Sequence, residues 1–345
     1  MAGRRRAVVE GAAPAPMEAL LVDALPTEVG WQYEPKWDGF RALVRRDGDA
    51  VDIFSKSGKP LGRYFPEIVA LAQSLGERRF LLDGELILPV GEVLSFDALQ
   101  ARLHPAASRI KRLSRETPAQ LMLFDCLAVG DELLSNRPLI DRRAALEALH
   151  DREARPGLLL SPASDLVGDA RAWLARSGGA LDGVVAKRLD EPYRFGERAM
   201  VKVKQRRSAD CVVGGFRRVK NGGGVASLLL GLHRDDGLLH HVGFCSGIAD
   251  ADRAALTARL EAFAGGVGFT GKAPGGPSRW NRGEESPWVP LRPELVVEVL
   301  YDQVTANRFR HGTRVLRWRP DKAAAQCGMD QLVRELRPAE LAGIA

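Results

Sequence analysis

Glu34-Pro35-Lys36-Trp37-Asp38-Gly39-Phe40-Arg41 is the stretch on which the reading of this chain turns. A proline precedes the lysine, an aspartate follows it two residues later, and a glycine permits a sharp turn before an arginine. The stretch is a polar island between an extended run, Trp31 to Pro35, and a strand signal from Phe40 to Arg46. A lysine at the lip of such a strand-turn-strand unit becomes a nucleophile when its ammonium loses a proton, which burial or neighbouring cations promote. The competing reading is a surface hairpin with a solvated lysine, and Lys-x-Asp-Gly alone favours it.

Bulk properties narrow the field. A chain of 345 residues suits two domains better than one core. Lys and Arg number 50 against 44 Asp and Glu, weak support on its own for a polyanionic partner. No apolar run reaches membrane-spanning length. Gly3-Arg4-Arg5-Arg6 imitates the start of a signal peptide, but Glu10, Gly11, Pro14 and Pro16 break the apolar core such a peptide needs. Residues 1–16 are therefore expected to be a flexible basic tail on a cytoplasmic protein. Cys126, Cys211, Cys245 and Cys327 are far apart and show no Cys-x-x-Cys spacing, so buried free thiols are expected rather than a zinc site or a disulfide framework.

Outward from the opening stretch, Met17 to Leu25 has helical spacing and stops at Pro26. Asp47-Gly48-Asp49 marks a hairpin between Phe40–Val44 and Val51–Phe54, followed by the polar loop Ser55-Lys56-Ser57-Gly58-Lys59. Phe65 to Leu75 reads as a helix. In Phe80 to Leu88, period-two alternation puts Phe80, Leu82, Gly84, Leu86 and Leu88 on one face and Asp83 with Glu85 on the other. Paired carboxylates in an apolar strand are costly unless a cation or a ligand hydroxyl meets them. Leu121–Leu127 and Asp182–Lys187 read as buried strands, and Arg137–Leu149 and Asp169–Arg176 as helices. In Met200–Lys204, Lys202 and Lys204 share a face, either gripping phosphate or forming a wet edge. Beyond Ser208, short strands at 211–215, 227–232, 238–244, 295–304 and 315–318 surround one helix, Ala251–Phe263, which points to a small β-barrel. Gly265 to Pro290 reads as an irregular loop and Lys322 to Leu336 as a helix.

Singly these strings decide nothing; their order does. Lys-x-Asp-Gly-x-Arg, Ser-Lys-Ser-Gly, Asp-Gly-Glu, Phe-Asp, Asp-Gly-Val-Val-Ala-Lys, Lys-x-Lys and Arg-Trp-Arg-Pro-Asp-Lys follow one another from about Met17 to about Leu336. The series resembles the covalent nucleotidyltransferases and, within them, the ATP-dependent DNA ligases of the bacterial ligase C group and the ligase module of bacterial ligase D. The resemblance implies an α+β architecture: an adenylation (nucleotidyltransferase) domain over 17–208 with antiparallel sheets and flanking helices, then an OB-fold domain with a C-terminal helix over 209–345. Such enzymes seal nicks with a 5′-phosphate and a 3′-OH through a covalent lysyl-AMP.

Carried across motif by motif, the resemblance makes Lys36 the nucleophile on the α-phosphorus of ATP, with Asp38 orienting it. Arg41 falls near the ribose and the nick phosphate, and Glu85 at the ribose 2′-OH. Glu34, Pro35, Phe124 and Lys187 would line the base site. Lys202 and Lys204 would hold the α-phosphate and lower the pKa of Lys36. Arg317, Arg319, Asp321 and Lys322 would orient the β- and γ-phosphates. Asp38, Asp83 and Asp182 would bind Mg²⁺ or Mn²⁺, Asp182 standing where many ligases carry glutamate. Lys56 stands where the family more often has arginine; with Arg206, Arg207, Arg217, Arg218 and Lys220 it would contact the DNA backbone.

The implied partner is nicked duplex DNA, with the end-binding protein Ku as a further partner, and the expected protein is a monomeric minimal ligase without an added helical DNA-binding domain. RNA ligases and capping guanylyltransferases are the nearest rivals; Trp37-Asp38-Gly39-Phe40-Arg41 and the Arg-Trp-Arg-Pro-Asp-Lys close argue against both. A degenerate, non-catalytic nucleic-acid binder is disfavoured by the intact Lys36, Lys202 and Lys204.

Overall fold

The turn at Asp38-Gly39 carries the chain from one sheet to another. Gly39 is required there: a Cβ at this position would lie 2.1 Å from the carbonyl oxygen of Leu86. The computed structural model describes residues 14–91, 93–177, 181–205, 207–219, 224–275, 287–302, 304–305, 307–310 and 312–332. The chain divides into two compact units after Gln205. In order, the first contains β1 (Ala19–Leu21), β2 (Trp31–Trp37), β3 (Phe40–Asp47), β4 (Ala50–Ser55), α1 (Pro66–Ser74), β5 (Arg79–Ile87), α2 (Phe96–Ala101), α3 (Ala107–Glu116), β6 (Gln120–Val129), α4 (Leu139–Arg152), β7 (Leu158–Leu160), α5 (Val167–Ala175), β8 (Leu181–Arg188) and β9 (Met200–Val203).

One sheet has the order β1-β9-β8-β2 and the other β7-β6-β5-β3-β4, so β2 and β3, consecutive in sequence, belong to different sheets. The second sheet is covered on both faces. Val44, Ile53, Leu82, Leu86 and Leu123 pack with Phe65 and Ile68, at the start of α1, and with Leu146 and Leu149 of α4. Leu43, Leu81 and Leu127 pack on the opposite side with Tyr193 and Met200. Each such side chain contributes roughly 1.5–3 kcal/mol on burial. The face bearing Asp83 and Glu85 is therefore interior, not a wet surface. In the first sheet, Tyr33, Val184 and Ala186 bury against Ala170 and Trp173 of α5.

Two expectations fail. Met17–Leu25 is not a helix: Ala19–Leu21 pairs in parallel with Met200–Lys202, and the amide of Met17 donates to the hydroxyl of Tyr193 at 2.9 Å. Its helical spacing yields to an open sheet edge and a buried acceptor. Lys322–Leu336 is not one helix either; its described part forms two 3₁₀ turns, Ala324–Gln326 and Met329–Gln331, interrupted at Gly328, and residues from 333 on lie outside the described ones. The first thirteen residues of the expected tail also lie outside them.

The second unit contains β10 (Arg207–Arg218), β11 (Val225–His233), β12 (Leu239–Cys245), α6 (Asp250–Glu261), β13 (Val296–Tyr301) and β14 (Arg314–Trp318). Its sheet order is β12-β11-β10-β13-β14, entirely antiparallel, with α6 between the third and fourth strands. The amide of Thr313, just before β14, donates to Phe244 of β12 at 3.2 Å, bringing the last strand back to the third. That topology is an OB-fold. Of the expected loop 265–290, residues 276–286 lie outside the described ones, and Val289–Pro290 pairs with β10. All four cysteines are buried and free. Among the described residues no helix is long and apolar enough to cross a membrane.

Candidate active site

Because β2 and β3 diverge into different sheets, the chain opens a cavity of about 820 Å³ beside Lys36, within the size range of small-molecule sites. Glu34, Pro35, Lys36, Arg41, Lys56, Glu85, Phe124, Lys187 and Lys202 all line it. Strand β8 pairs with β2 through a bulge: Leu181 sits opposite Trp37 and Val184 opposite Pro35, so Asp182 and Gly183 together oppose Lys36. Gly183 has φ +133°, and a Cβ there would lie 2.1 Å from the carbonyl oxygen of Val203. The bulge brings Asp182 to the lysine. Its Oδ2 is 2.6 Å from Lys36 Nζ, and its Oδ1 is 2.9 Å from Lys204 Nζ.

This pair decides the protonation of Lys36. Burial alone would depress the ammonium, but Asp182, backed by Glu85 and Asp38, outweighs it and raises the Lys36 pKa above the usual lysine value. The expected lowering by Lys202 and Lys204 is therefore not what this state holds. Lys202 is the depressed one, through burial and then the charges of Lys36, Lys204 and Lys56. An ammonium depressed by burial and then by its cationic neighbours is a place for an anion.

Asp83, expected among the metal ligands, is committed elsewhere. It is fully buried, takes Arg41 Nε and Nη2 at 2.5 Å each, and accepts from the Tyr193 hydroxyl at 2.5 Å. Burial and the adjacent Asp83 charge keep that phenol protonated. Tyr193 was not singled out from sequence; the only hint was an aromatic among polar residues between two motif strands. Glu85, cross-strand from Arg41, faces the cavity. Desolvation, outweighing Lys36 and Arg41, pushes its pKa up to about 7. Among the described residues no three His, Cys, Asp or Glu side chains converge as a preformed cation site.

Glu34 and Lys187 form a buried ion pair at 2.8 Å, and Lys187 also donates to the carbonyl of Phe124 at 3.3 Å. The Phe124 ring has the Arg41 guanidinium 4.6 Å and Lys187 Nζ 4.9 Å from its centroid. The two cations tie the ring to β3 of its own sheet and to β8 of the other.

The basic residues expected on DNA do not form one run. Lys56 is exposed at the cavity mouth, 3.0 Å from Glu18. Arg207 and the Arg217–Arg218 pair stand at opposite ends of β10, roughly 30 Å apart for an extended strand of that length. Arg218 pairs with Glu261 at 2.9 Å, and Arg206 and Lys220 lie outside the described residues. In the same unit Arg317 pairs with Glu298 at 2.7 Å, Arg319 with Asp210 at 2.9 Å and Asp321 at 2.8 Å, and Lys322 with Asp210 at 2.8 Å. Sequence reading missed α3. Only Ile110 of this helix is buried, while Arg109, Lys111, Arg112 and Arg115 are exposed. Arg63, which lines the cavity, donates at 3.2 Å to the carbonyl of Pro105, just before α3. Charge spacing at 109, 111, 112 and 115 was the available signal.

Comparison with known proteins agrees with this layout. The family described as ATP dependent DNA ligase domain matches residues 19–204, and the one described as ATP dependent DNA ligase C terminal region matches 221–322. DNA ligase C1 of Mycolicibacterium smegmatis is 48% identical over 332 residues, covering 92% of this chain and 94% of that protein. The multifunctional non-homologous end joining DNA repair protein LigD of Mycobacterium tuberculosis is 30% identical over 308 residues, 86% of this chain but 37% of that larger protein. A solved structure from work on Lig E DNA ligases shares the fold at 17% identity, with a TM-score of 0.52 over 88% of this chain and 99% of that one.

Proposed function

The chain belongs to the ATP-dependent DNA ligase family, and we propose that it seals 5′-phosphate/3′-OH nicks in duplex DNA by way of an adenylate carried on Lys36. The observation that carries this reading is the lysine itself: Lys36 sits in a cavity large enough for a nucleotide, between a counter-charge it must leave, Asp182, and a cation short of an anion, Lys202. When the α-phosphate enters beside Lys202, the Lys36 amine, having lost its proton, attacks phosphorus. The N–P bond forms as the P–O bond to pyrophosphate breaks. A 5′-phosphate oxygen at the nick then takes the AMP as the P–N bond breaks. Finally the 3′-OH attacks that 5′-phosphorus, and AMP leaves with the electrons of the broken P–O bond.

Arg41 is held by Asp83, which the Tyr193 hydroxyl braces in turn, for a phosphate or ribose contact, and Glu85 would face the ribose. Arg317, Arg319 and Lys322 are proposed for the outer phosphates, each exchanging a carboxylate of its own unit for phosphate oxygen. Mg²⁺ or Mn²⁺ fits the donors present. Asp182 and Asp38 would hold it with phosphate oxygens completing the shell, since such ions commonly use one or two carboxylates, and it would neutralise charge on the phosphates. Asp83 is not among these ligands. Lys56, Arg63 and the exposed face of α3 are proposed to follow the DNA backbone. Resemblance to the end-joining relative supports a role in DNA repair, with a Ku-type end-binding protein as partner.

Incubation with α-labelled ATP and Mg²⁺ should leave label on the denatured wild-type chain and none on Lys36→Ala. Equal labelling of the two would overturn the reading.

A further inference from the structure

A buried polar group spans the cavity wall beside Lys36. Gln32 Nε2 donates to Glu34 Oε1 at 2.7 Å, while Lys187 Nζ holds Glu34 Oε2 at 2.8 Å. The three side chains are only 6%, 3% and 4% exposed for Gln32, Glu34 and Lys187. Their proximity follows from strand geometry. Gln32 and Glu34 are two apart on β2 and share a face, and Lys187 of β8 is directly cross-strand from Gln32. Glu34 and Lys187 line the cavity, but Gln32 does not, so anything it does to a ligand passes through Glu34.

We propose that Gln32 is a positioning residue for nucleobase selection: by fixing the Glu34 carboxylate it sets the preference of the Lys36 step for a purine bearing a 6-amino group. The inference rests on the nucleotide reading above and specifies the base end of that site. A carboxylate offers about four acceptor positions and no donor. Here each oxygen already holds one donor, leaving acceptor capacity directed away from the anchors. A 6-amino group supplies the hydrogen that capacity needs. A 6-oxo purine would set carbonyl against carboxylate in a dry site, where an unmet or repelled acceptor is expensive. Discrimination of this kind requires the carboxylate to stay in one rotamer. The terminal torsion of glutamate is broad, and a single anchor at Lys187 leaves it free to swing. Gln32 is the second anchor, and being neutral it leaves the Glu34–Lys187 pair without net charge beside a neutral base. Its amide orientation is dictated by the carboxylate it faces, which accepts only from the nitrogen end.

The test is a cycle between residue and ligand. Single-turnover labelling of Lys36 is measured with ATP and with purine riboside triphosphate, which lacks the 6-amino group, for wild type, Gln32→Leu and Gln32→Met. The unbranched methionine keeps length and volume if the leucine variant folds poorly. Both variants should lose about tenfold in kcat/KM for ATP, mainly through KM, and less than about twofold for the analogue, as expected when a charge-assisted hydrogen bond loses its alignment. Inosine triphosphate should gain on ATP by a similar factor. Equal losses for ATP and the analogue would mean a purely structural role and overturn the inference, as would no loss for either. A wild-type chain that labels with the analogue as well as with ATP overturns it too. Failure of the wild type to label from ATP at all would instead overturn the nucleotide reading on which it rests.

Discussion

Replacing Asp182 with asparagine should make Lys36 a stronger nucleophile in the resting protein and a poorer ligase residue at the same time. The wild-type pair is close, 2.6 Å from Nζ to Oδ2, and half-screened, with side-chain exposures of 25% and 9%. At an effective dielectric near 20, a charge pair at that distance attracts by roughly 6 kcal/mol before desolvation is charged against it. Measured effects of an adjacent opposite charge amount to about 1–3 pKa units. The substitution also removes the negative charge 2.9 Å from Lys204 Nζ, so that this ammonium is less screened and pushes in the same direction. The Lys36 pKa should therefore fall, and below it the neutral fraction should rise by roughly tenfold to a thousandfold. The linkage has a definite sign. A lysine whose folded pKa is raised adds stability that is fully present below its unfolded pKa of about 10.5 and is lost as pH climbs through the folded value. Asp182→Asn should lose that alkaline dependence. Competitive acetylation of the nucleotide-free protein from about pH 6 to about pH 11, read by mass spectrometry on the Lys36 peptide, reports the titration directly. Labelling from ATP and Mg²⁺ should nevertheless drop, because the same carboxylate is a proposed metal ligand. An unchanged or higher Lys36 midpoint in the variant would refute the electrostatic argument.

Tyr193→Phe removes one hydroxyl that donates to Asp83 at 2.5 Å and accepts from the Met17 amide at 2.9 Å. Losing a buried hydrogen bond to a charged group costs about 1.5–3 kcal/mol, so thermal unfolding should shift down by several degrees, and a melting curve coincident with wild type would contradict the network. Neutralising Arg109, Lys111, Arg112 and Arg115 of α3 to glutamine should leave ATP labelling of Lys36 intact. It should weaken binding to a nicked duplex and flatten its salt dependence by about 0.9 in log–log slope per lost phosphate contact. An unchanged slope measured by fluorescence anisotropy would remove α3 from the DNA path.

Much of the site was legible because its chemistry is carried by side chains at short, ordered spacings on strands. Alternation alone placed Asp83 and Glu85 on one face, and the structure keeps them there. What alternation does not encode is the partner. Arg41 reaches diagonally across β3 and β5 to take both oxygens of Asp83, so the carboxylate that the family resemblance assigned to a metal braces an arginine in this structure. The pKa direction of Lys36 failed for a similar reason: Lys202 and Lys204 are visible in sequence, but the bulge that inserts Asp182 between Lys36 and Lys204 is a register event. Met17–Leu25 was misread because a short amphipathic pattern fits a helix until an edge strand with open hydrogen bonds is offered to it. Gln32 left no trace at all. A glutamine in an apolar strand reads as surface, and its burial follows only from facing Lys187.

The bulge also accounts for the residue that looked least orthodox. A shorter acid at position 182 would fall short of Lys36 from a regularly paired strand, because a one-to-one register would set it beside β2 rather than over the lysine. Two residues opposing one push the strand outward locally and re-aim the side chain, and Gly183, at a φ of +133° that other residues rarely adopt, makes this possible against the Val203 carbonyl. Asp182 thus gains from backbone what it lacks in side chain, reaching both Lys36 and Lys204. Such a carboxylate holds the nucleophile charged while the site is without nucleotide, and it can release the lysine only when something else takes up its own charge. On the proposed reading, a divalent cation held by Asp182 would take up that charge. Lys36 would then stay protonated on Asp182 until the nucleotide arrives.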